Sequence, residues 1–278
     1  MDENRNSNIS SEHSEELLNI IENFRLMDDT FMSKVFEDKA CAELLLRVIL
    51  NRDDLTVVRV VSQFELKNLQ GRSARLDIYA FDEHGKQYDV EVQRSDDGAA
   101  PRRARYNSSL LDANLLNPGD KFDELPESYI IFITEHDVLK GGKPLYTVNR
   151  TISELDHAIF ADGSHIIYVN GEIRNGTALG ELMQDFFCKD PREMHYKVLS
   201  DRAGYFKKDK EGVDTMCKLV EDYGEKRARQ AAELASNERA VRMANNLWNK
   251  GERDLQQIAD LTDLPLDEVK KLFEGKTA

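Results

Sequence analysis

The residues from Arg75 to Gln93, "RLDIYAFDEHGKQYDVEVQ", decide the fold, because they predict two strands joined by a tight turn. A three-residue loop over 83–85 places Gly85 where a hairpin of this type needs a left-handed backbone. The apolar face then carries Leu76, Ile78, Ala80, Tyr88, Val90 and Val92. A two-residue loop mixes apolar and polar side chains on both faces. Since burial selects the register that separates them, the sequence predicts the three-residue loop.

The polar face of this hairpin places two carboxylates opposite each other. Asp77 pairs with Glu91 in the predicted register, with Cβ atoms about 5 Å apart, and like charges at that spacing are destabilising. Mg²⁺ is often held by one or two carboxylates together with waters and phosphate oxygens. The pair therefore predicts a metal site. The alternative is a solvent-facing strand pair in which Arg75 and Lys86 offset the acids.

The elements around the hairpin predict an α/β fold. Helical spacing in "MDDTFMSKVFEDKACAELLLRVILN" precedes "TVVRVVSQFEL", which is rich in β-branched residues and predicts a strand. A helix then begins near Pro101 and ends at "NPGD", and "YIIFIT" is typical of a buried central strand. "PLYTVNR" and "HIIYVNG" predict further strands. The order α-β-β-β-α-β indicates a mixed central sheet flanked by helices.

The pattern divides the chain into four segments: a flexible and helical N-terminal segment (1–24), the α/β core (25–172), a helical extension (173–222), and a long charged helix followed by a short helical pair (223–278). The last pair, "DLQQIADLTDLPLDEVKKLF", resembles a helix-turn-helix. Its predicted inner face contains Leu255, Ile258, Ala259, Leu264, Leu266, Val269 and Leu272. A DNA-reading helix should be basic, but here acids balance the lysines. We therefore expect a packing element or a homodimer contact.

Composition limits the classes of function. The chain has 278 residues and a net charge of −14, so any contact with nucleic acid needs a local basic patch or metal ions. Three separated cysteines without a CxxC pair argue against a disulfide framework or a zinc site. The apolar runs are too short to span a membrane, and the N-terminus lacks a basic segment followed by an apolar one. We expect a cytoplasmic protein.

Several stretches resemble, in order, the PD-(D/E)XK nuclease family transposases, relatives of the recombination-promoting nuclease group. The residues Asp77 and then Glu91-Val92-Gln93 match a D…E-x-Q form of the D…(D/E)-x-K active site. The other matching stretches are "MDDTFMSKVF", "LQGRSARLDIYAFDEHGKQYDVEVQ", "RRARYNSSLLDANLLNPG" and "ELPESYIIFITEHDVLKGGKPLYTVNR". The resemblance covers about residues 25–205. It implies a restriction-endonuclease-like core and metal-dependent cleavage of DNA phosphodiesters.

The resemblance also implies the roles of individual residues. Asp77 and Glu91 would be metal ligands together with the carbonyl of Val92, with Mg²⁺ as the cofactor and Mn²⁺ as a substitute. Asp77, Glu91 and Gln93 would form the catalytic set, with Gln93 in place of the lysine. Glutamine is neutral and can only orient a water or donate a hydrogen bond. Because electrostatic stabilisation is often the largest catalytic contribution, either another cation compensates or activity is low.

Arginines near the E-x-Q residues are candidates for that compensation and for contacts with DNA phosphates. Arg75 lies on the polar face of the hairpin, opposite Gln93 in the predicted register. Arg102, Arg103 and Arg105 follow on the next helix, and their alternative is a solvated helix face. Asp29 is either an additional acid or, as we prefer, a helix cap.

Two functions remain open from the sequence. The first is a metal-dependent DNA endonuclease that hydrolyses phosphodiester bonds and is associated with mobile elements and recombination. The second is a catalytically weak or inactive nuclease-fold protein that binds DNA or a protein partner, which the neutral Gln93 and the net charge favour. Binding of Mg²⁺ or Mn²⁺ that depends on Asp77 and Glu91 separates the two. A purely structural protein with a solvated hairpin face is the least favoured interpretation.

Overall fold

The computed structural model describes residues 14–68 and 71–274. Its helices are α1 (14–23), α2 (Asp29–Val35), α3 (Lys39–Leu50), α4 (Pro101–Leu115), α5 (Ala178–Phe187), α6 (Lys197–Lys208), α7 (Lys210–Asn249), α8 (Leu255–Thr262) and α9 (Leu266–Phe273). The strands are β1 (Val57–Leu66), β2 (Ala74–Asp82), β3 (Gln87–Gln93), β4 (Ser128–Thr134), β5 (Leu145–Val148), β6 (Thr151–Ile152), β7 (Ala158–Ile159) and β8 (Ser164–Asn170). Short 3₁₀ turns cover Asp96–Ala99, Phe122–Glu124, Ser153–Leu155 and Pro191–Glu193.

Six of these strands form a mixed sheet in the order β1-β2-β3-β4-β8-β5, while β6 and β7 pair separately. The strands β3, β4 and β8 run parallel, and β1, β2 and β5 pair antiparallel to their neighbours. Because a parallel pair needs a crossover connection, α4 runs between β3 and β4. The predicted mixed α/β architecture is confirmed, and it is consistent with a restriction-endonuclease-like fold.

The hairpin between β2 and β3 has the predicted register. Ile78 pairs with Val90 and Tyr79 with Asp89, and Gly85 has a φ of 77°. The Asp82 carboxylate stabilises the turn by accepting hydrogen bonds from backbone N–H groups two and four residues further on, at 2.9 and 3.0 Å. The three-residue loop is therefore confirmed.

The polar face of the hairpin is buried rather than exposed to solvent along β3. Asp89 and Glu91 are both fully buried. The reason is tertiary, because α4 covers this face of the sheet and β3 lies between β2 and β4. Val90 and Ile131 point to the opposite face and are also buried. The alternative of a solvent-facing strand pair is wrong.

The helix starts differ in one respect from the prediction. The single long helical stretch is split into α2 and α3, and Asp38 caps α3 by accepting hydrogen bonds from the N–H groups of Ala40 and Cys41. Asp28 holds the cap position of α2, so Asp29 lies in the first helical turn. Asp29 is therefore not the helix cap, and its side chain is available for other contacts.

The chain forms two compact units, one ending at Cys217 and the other beginning at Lys218. In the second unit, residues of α7, α8 and α9 share an apolar core in which the Trp248 and Phe273 rings stack at 4.3 Å. The predicted inner face of the helical pair belongs to this core. Over 14–68 and 71–274, we find no helix of the length and apolar character needed to cross a membrane.

Candidate functional site

The site lies where the ladder between β2 and β3 ends. The last paired residues are Ile78 and Val90. At the next position towards β3's C-terminal end, the acceptor is a side chain instead of a backbone carbonyl. Asp77 Oδ2 accepts a hydrogen bond from the N–H of Val92 at 3.1 Å. The N–H and C=O of one residue point to the same edge of an extended strand, so the Val92 carbonyl also points towards β2. Asp77 Oδ2 and the Val92 carbonyl, two of the predicted metal ligands, therefore both lie along the edge of β3 that faces β2.

An irregularity in β1 lies beside Asp77. Gln63 has a φ of 53° and falls between the paired residues Ser62–Ile78 and Phe64–Leu76. Its amide nitrogen donates to Asp29 Oδ1 at 3.1 Å, and an Arg75 guanidinium nitrogen lies 4.0 Å from the other Asp29 oxygen. Asp29 and Arg75 are therefore held next to each other at the rim of the site.

Glu91 is the more deeply buried of the two predicted carboxylate ligands, and it has no exposed surface. Its Oε1 accepts from the Asn107 amide at 3.3 Å. Its Oε2 accepts from Arg103 Nη2 at 2.5 Å and from the Gln93 amide at 3.2 Å. Both donors outside the strand come from α4, and they lie four residues apart on one face of that helix.

The electrostatics of the site oppose full ionisation of its acids. Burial raises the pKa of Asp77 to about 6, the Asp29 carboxylate adds to that rise, and the bond from Val92 N–H opposes it. Burial and then the Asp77 charge raise the pKa of Glu91 to about 8, although Arg103 and Arg75 lower it. The two carboxylates therefore repel each other, and their burial, which the sequence did not predict, leaves this repulsion poorly screened by solvent.

Asp89 is a third acid that sequence reasoning did not include in the site. It is fully buried, and its Oδ2 accepts a long hydrogen bond from Asn107 at 3.4 Å. Its Oδ1 has no hydrogen-bond partner in the described part of the chain. Burial, followed by the charges of Glu91 and Asp77, raises the pKa of Asp89 well above its usual range. The two-residue spacing from Glu91 was the available signal, because such residues share a face of a strand.

The four predicted DNA-binding arginines occupy different environments. Arg102 and Arg105 are exposed on the first turns of α4. Arg75 is half exposed and faces Asp29, and the ladder with β3 ends before it, so it is not paired with Gln93. Of the four, Arg103 is the one that hydrogen-bonds to Glu91, and it also donates to the Gln93 side-chain oxygen at 3.3 Å.

The oxygen donors suit a hard divalent cation. Mg²⁺ is commonly bound through one or two carboxylates, with waters completing its coordination, and Asp77, Glu91 and the Val92 carbonyl supply donors of this kind. No group of three or more His, Cys, Asp or Glu side chains in the described ranges is arranged to hold a metal ion. A cation bound here would therefore rely on the two carboxylates, the carbonyl and water.

Comparison with known proteins agrees with this geometry. The family model described as PD-(D/E)XK nuclease family transposase matches residues 34–259, which include all of the site except Asp29. No curated protein and no solved structure matches the chain. With more than half of its length matched by that model, the chain belongs to the PD-(D/E)XK nuclease transposase family.

Proposed function

We propose that the protein is a metal-dependent DNA endonuclease that hydrolyses phosphodiester bonds. The observation that carries the proposal is the arrangement at the end of the β2–β3 ladder. Asp77 bonds to the N–H of Val92 at 3.1 Å, and its charge raises the pKa of the buried Glu91. A protein gains little stability from such an arrangement. It becomes favourable when a divalent cation balances the two carboxylates.

In this proposal Asp77, Glu91 and the Val92 carbonyl hold Mg²⁺, and Mn²⁺ can replace it. The bound cation would supply Lewis acidity towards a phosphate oxygen and would acidify water. The chain itself orients the ligands, because Asn107 and Gln93 each donate to one oxygen of Glu91 at 3.3 and 3.2 Å. The exposed Arg102 and Arg105 offer charge to DNA phosphates on the rim.

The reaction in this proposal is hydrolysis. The family description includes the word transposase, and a role in recombination or in mobile elements is proposed on that basis. Two carboxylates with a cation can direct water at a phosphodiester, whereas strand transfer also requires a site for a DNA hydroxyl. We therefore propose endonucleolytic cleavage as the chemical step that serves recombination.

One observation favours the second function, a nuclease-fold protein that binds DNA without efficient cleavage. Arg103 lies 2.5 Å from Glu91, so this guanidinium competes with a metal ion for the same carboxyl oxygen. If the pair persists in the presence of Mg²⁺ or Mn²⁺, DNA binding would continue and cleavage would be lost.

The test is nicking and linearisation of supercoiled plasmid by the purified protein in Mg²⁺, Mn²⁺ or EDTA. Asp77→Asn and Glu91→Gln keep side-chain volume and hydrogen bonding but remove charge. We expect each to lower the metal-dependent rate more than about 100-fold, because even outer partners of metal ligands cost 10- to 100-fold. The control is Asp201→Asn, which changes an exposed acid of α6 and should cleave at the parental rate.

Equal cleavage by all of these proteins would overturn the site assignment. Plasmid binding without cleavage in either metal would overturn the endonuclease and support the second function. Retention of binding should be measured by fluorescence anisotropy with a labelled duplex, so that a lost rate is not confused with lost DNA affinity.

A further inference from the structure

The proposed site lacks the positive charge that a lysine would supply at position 93, because Gln93 is neutral. During phosphodiester hydrolysis negative charge builds up on the phosphate oxygens, and a fixed positive charge nearby stabilises it. A glutamine amide carries no charge. A cation from elsewhere in the chain must therefore meet the phosphate if the site is to work efficiently.

The guanidinium of Arg103 is held at the centre of the site by three acceptors. Its Nη2 donates to Glu91 Oε2 at 2.5 Å, while its Nη1 donates to Gln93 Oε1 at 3.3 Å and to the carbonyl of Gly98 at 3.0 Å. Its centre also lies 6.0 Å from the centroid of the Phe132 ring. The planar fork of arginine can meet several acceptors at once, which an ammonium group cannot do with the same fixed geometry.

Gln93 uses both ends of its amide in this arrangement. Its nitrogen donates to Glu91 Oε2 at 3.2 Å, and its oxygen accepts from Arg103. A lysine at position 93 has no acceptor and would repel the guanidinium. The glutamine is thus suited to place a cation that another element supplies, and this gives a physical reason for E-x-Q here.

Gly98 provides the space for this contact. A Cβ atom at position 98 would overlap the Gln93 side-chain oxygen. The short 3₁₀ turn Asp96–Ala99 therefore brings its backbone carbonyl close to Gln93 and Arg103 together. Since Arg103 is held from both the strand and this turn, its position does not depend on one contact.

Arg103 also remains accessible to a substrate. Its side chain is 39% exposed, whereas the Glu91 side chain with which it pairs is fully buried. The Arg103 side chain thus binds the site through Nη1 and Nη2 and is still partly open to solvent. Arg192 is also an exposed arginine, but its ion pair is with Asp190, and it serves as the control.

We propose that Arg103, positioned by Gln93, supplies the positive charge that contacts the scissile phosphate in place of the lysine of E-x-K sites. The inference rests on the proposed endonuclease function. In this role the guanidinium binds phosphate oxygens and neither forms nor breaks a covalent bond. Gln93 acts through Arg103 and is a positioning residue.

The test compares single-turnover cleavage rates of saturated plasmid in Mn²⁺ for six proteins: the parental chain and the variants Arg103→Ala, Arg192→Ala, Gln93→Met, Gln93→Met with Arg103→Ala, and Gln93→Lys with Arg103→Ala. We expect Arg103→Ala to lose about 100-fold in rate, with duplex affinity changed by no more than about threefold. Arg192→Ala removes an exposed arginine charge and should keep the parental rate. Adding Gln93→Lys to Arg103→Ala should restore at least about tenfold.

Two further readouts separate positioning from a general structural effect. Gln93→Met should slow cleavage in the parental chain and add nothing in the Arg103→Ala background, because coupled residues are non-additive. Millimolar guanidinium should accelerate Arg103→Ala and leave Arg192→Ala unchanged. Melting temperatures show which variants are folded, and Gln93→Met keeps the test valid if Arg103→Ala is not folded.

A rate for folded Arg103→Ala within threefold of the parental chain would overturn the inference, and so would a Gln93→Lys double variant no faster than Arg103→Ala. Additive effects of Gln93→Met and Arg103→Ala would overturn the positioning role. These outcomes leave the endonuclease intact, because the parental chain still cleaves and Asp77→Asn does not. Absence of cleavage by the parental chain in either metal would overturn both proposals.

Discussion

Two regions of the first unit each bury a carboxylate completely, and they differ in the hydrogen-bond donors that they offer to it. Asp185 of α5 accepts hydrogen bonds from the backbone N–H groups of His195 at 2.7 Å and Tyr196 at 2.9 Å. Asp89 of β3 has only a long bond from Asn107, and one of its oxygens has no partner among the described residues. The difference lies in the donors, since both side chains are fully enclosed.

This contrast separates structure from function. A buried acid that receives backbone donors ties two segments together, here α5 and the start of α6. Acids that are buried near one another without enough donors cost stability, and proteins tolerate that cost mainly at functional sites. Asp89 belongs to the second class, and its place beside the charges of Glu91 and Asp77 supports the proposed metal site.

The largest effect on stability is expected at Asp185. Asp185→Ala should lower the free energy of unfolding by about 3 kcal/mol, because it removes a buried acceptor of two backbone N–H groups that are themselves partly buried. Urea unfolding followed by circular dichroism measures the change. The exposed Asp201→Ala is the control and should leave the urea midpoint unchanged. A midpoint for Asp185→Ala equal to that of the control would remove the contrast between the two regions.

A smaller effect, which depends on pH, is expected at Glu91 in EDTA. The pKa of Glu91 is about 8 in the folded protein against an ordinary 4.5, so the folded state keeps a proton that the unfolded chain releases. Stability is therefore lost as pH rises towards 8. Between pH 5.5 and 7.5 the loss should be about 2 kcal/mol. Glu91→Gln removes the titrating group and should abolish most of that difference.

Urea midpoints of the parental chain and Glu91→Gln at the two pH values test this expectation. The comparison cancels titration elsewhere in the chain. Identical pH dependence in the two proteins would show that Glu91 ionises normally and would place it with Asp185 as a satisfied acid.

The smallest expected effect is stabilisation by the cation itself. At pH 7.5 and a free concentration ten times Kd, Mn²⁺ or Mg²⁺ should stabilise the protein by about 1.4 kcal/mol. For a chain of this size that corresponds to a rise in Tm of about 2–4 °C. Differential scanning fluorimetry measures it. Asp77→Asn and Glu91→Gln should lose the rise, whereas Asp185→Asn should keep it, and an equal rise in all three would mean that the cation binds elsewhere.

Most of the fold was predictable because its signals are local. The alternation of apolar residues and the need for a left-handed backbone at Gly85 identified the hairpin, and its register is confirmed. Pro101 marked the first residue of α4, and the apolar run near Ile131 marked the buried strand β4. The small β6–β7 pair was not predicted, since its strands are two residues long and carry no periodicity.

The site was predictable in part. The residues Asp77, Glu91 and Gln93 follow from the hairpin and the family resemblance, and they remain predicted ligands and catalytic groups. The sequence did not predict that Asn107 contacts Glu91, nor which of the arginines does. The predicted register, continued beyond the turn, places Arg75 opposite Gln93. In the structure the pairing between β2 and β3 ends at Ile78, and Arg75 faces Asp29 instead.

The sequence by itself thus determined the order of elements, the hairpin register and the approach of two acids, because strand periodicity and turn chemistry act between near neighbours. Only the tertiary structure decided that the acids are buried and that Arg103 meets Gln93. Both result from the parallel pairing of β3 with β4. That pairing requires a crossover, and the crossover lays α4 over the acids, which no local pattern in β3 specifies.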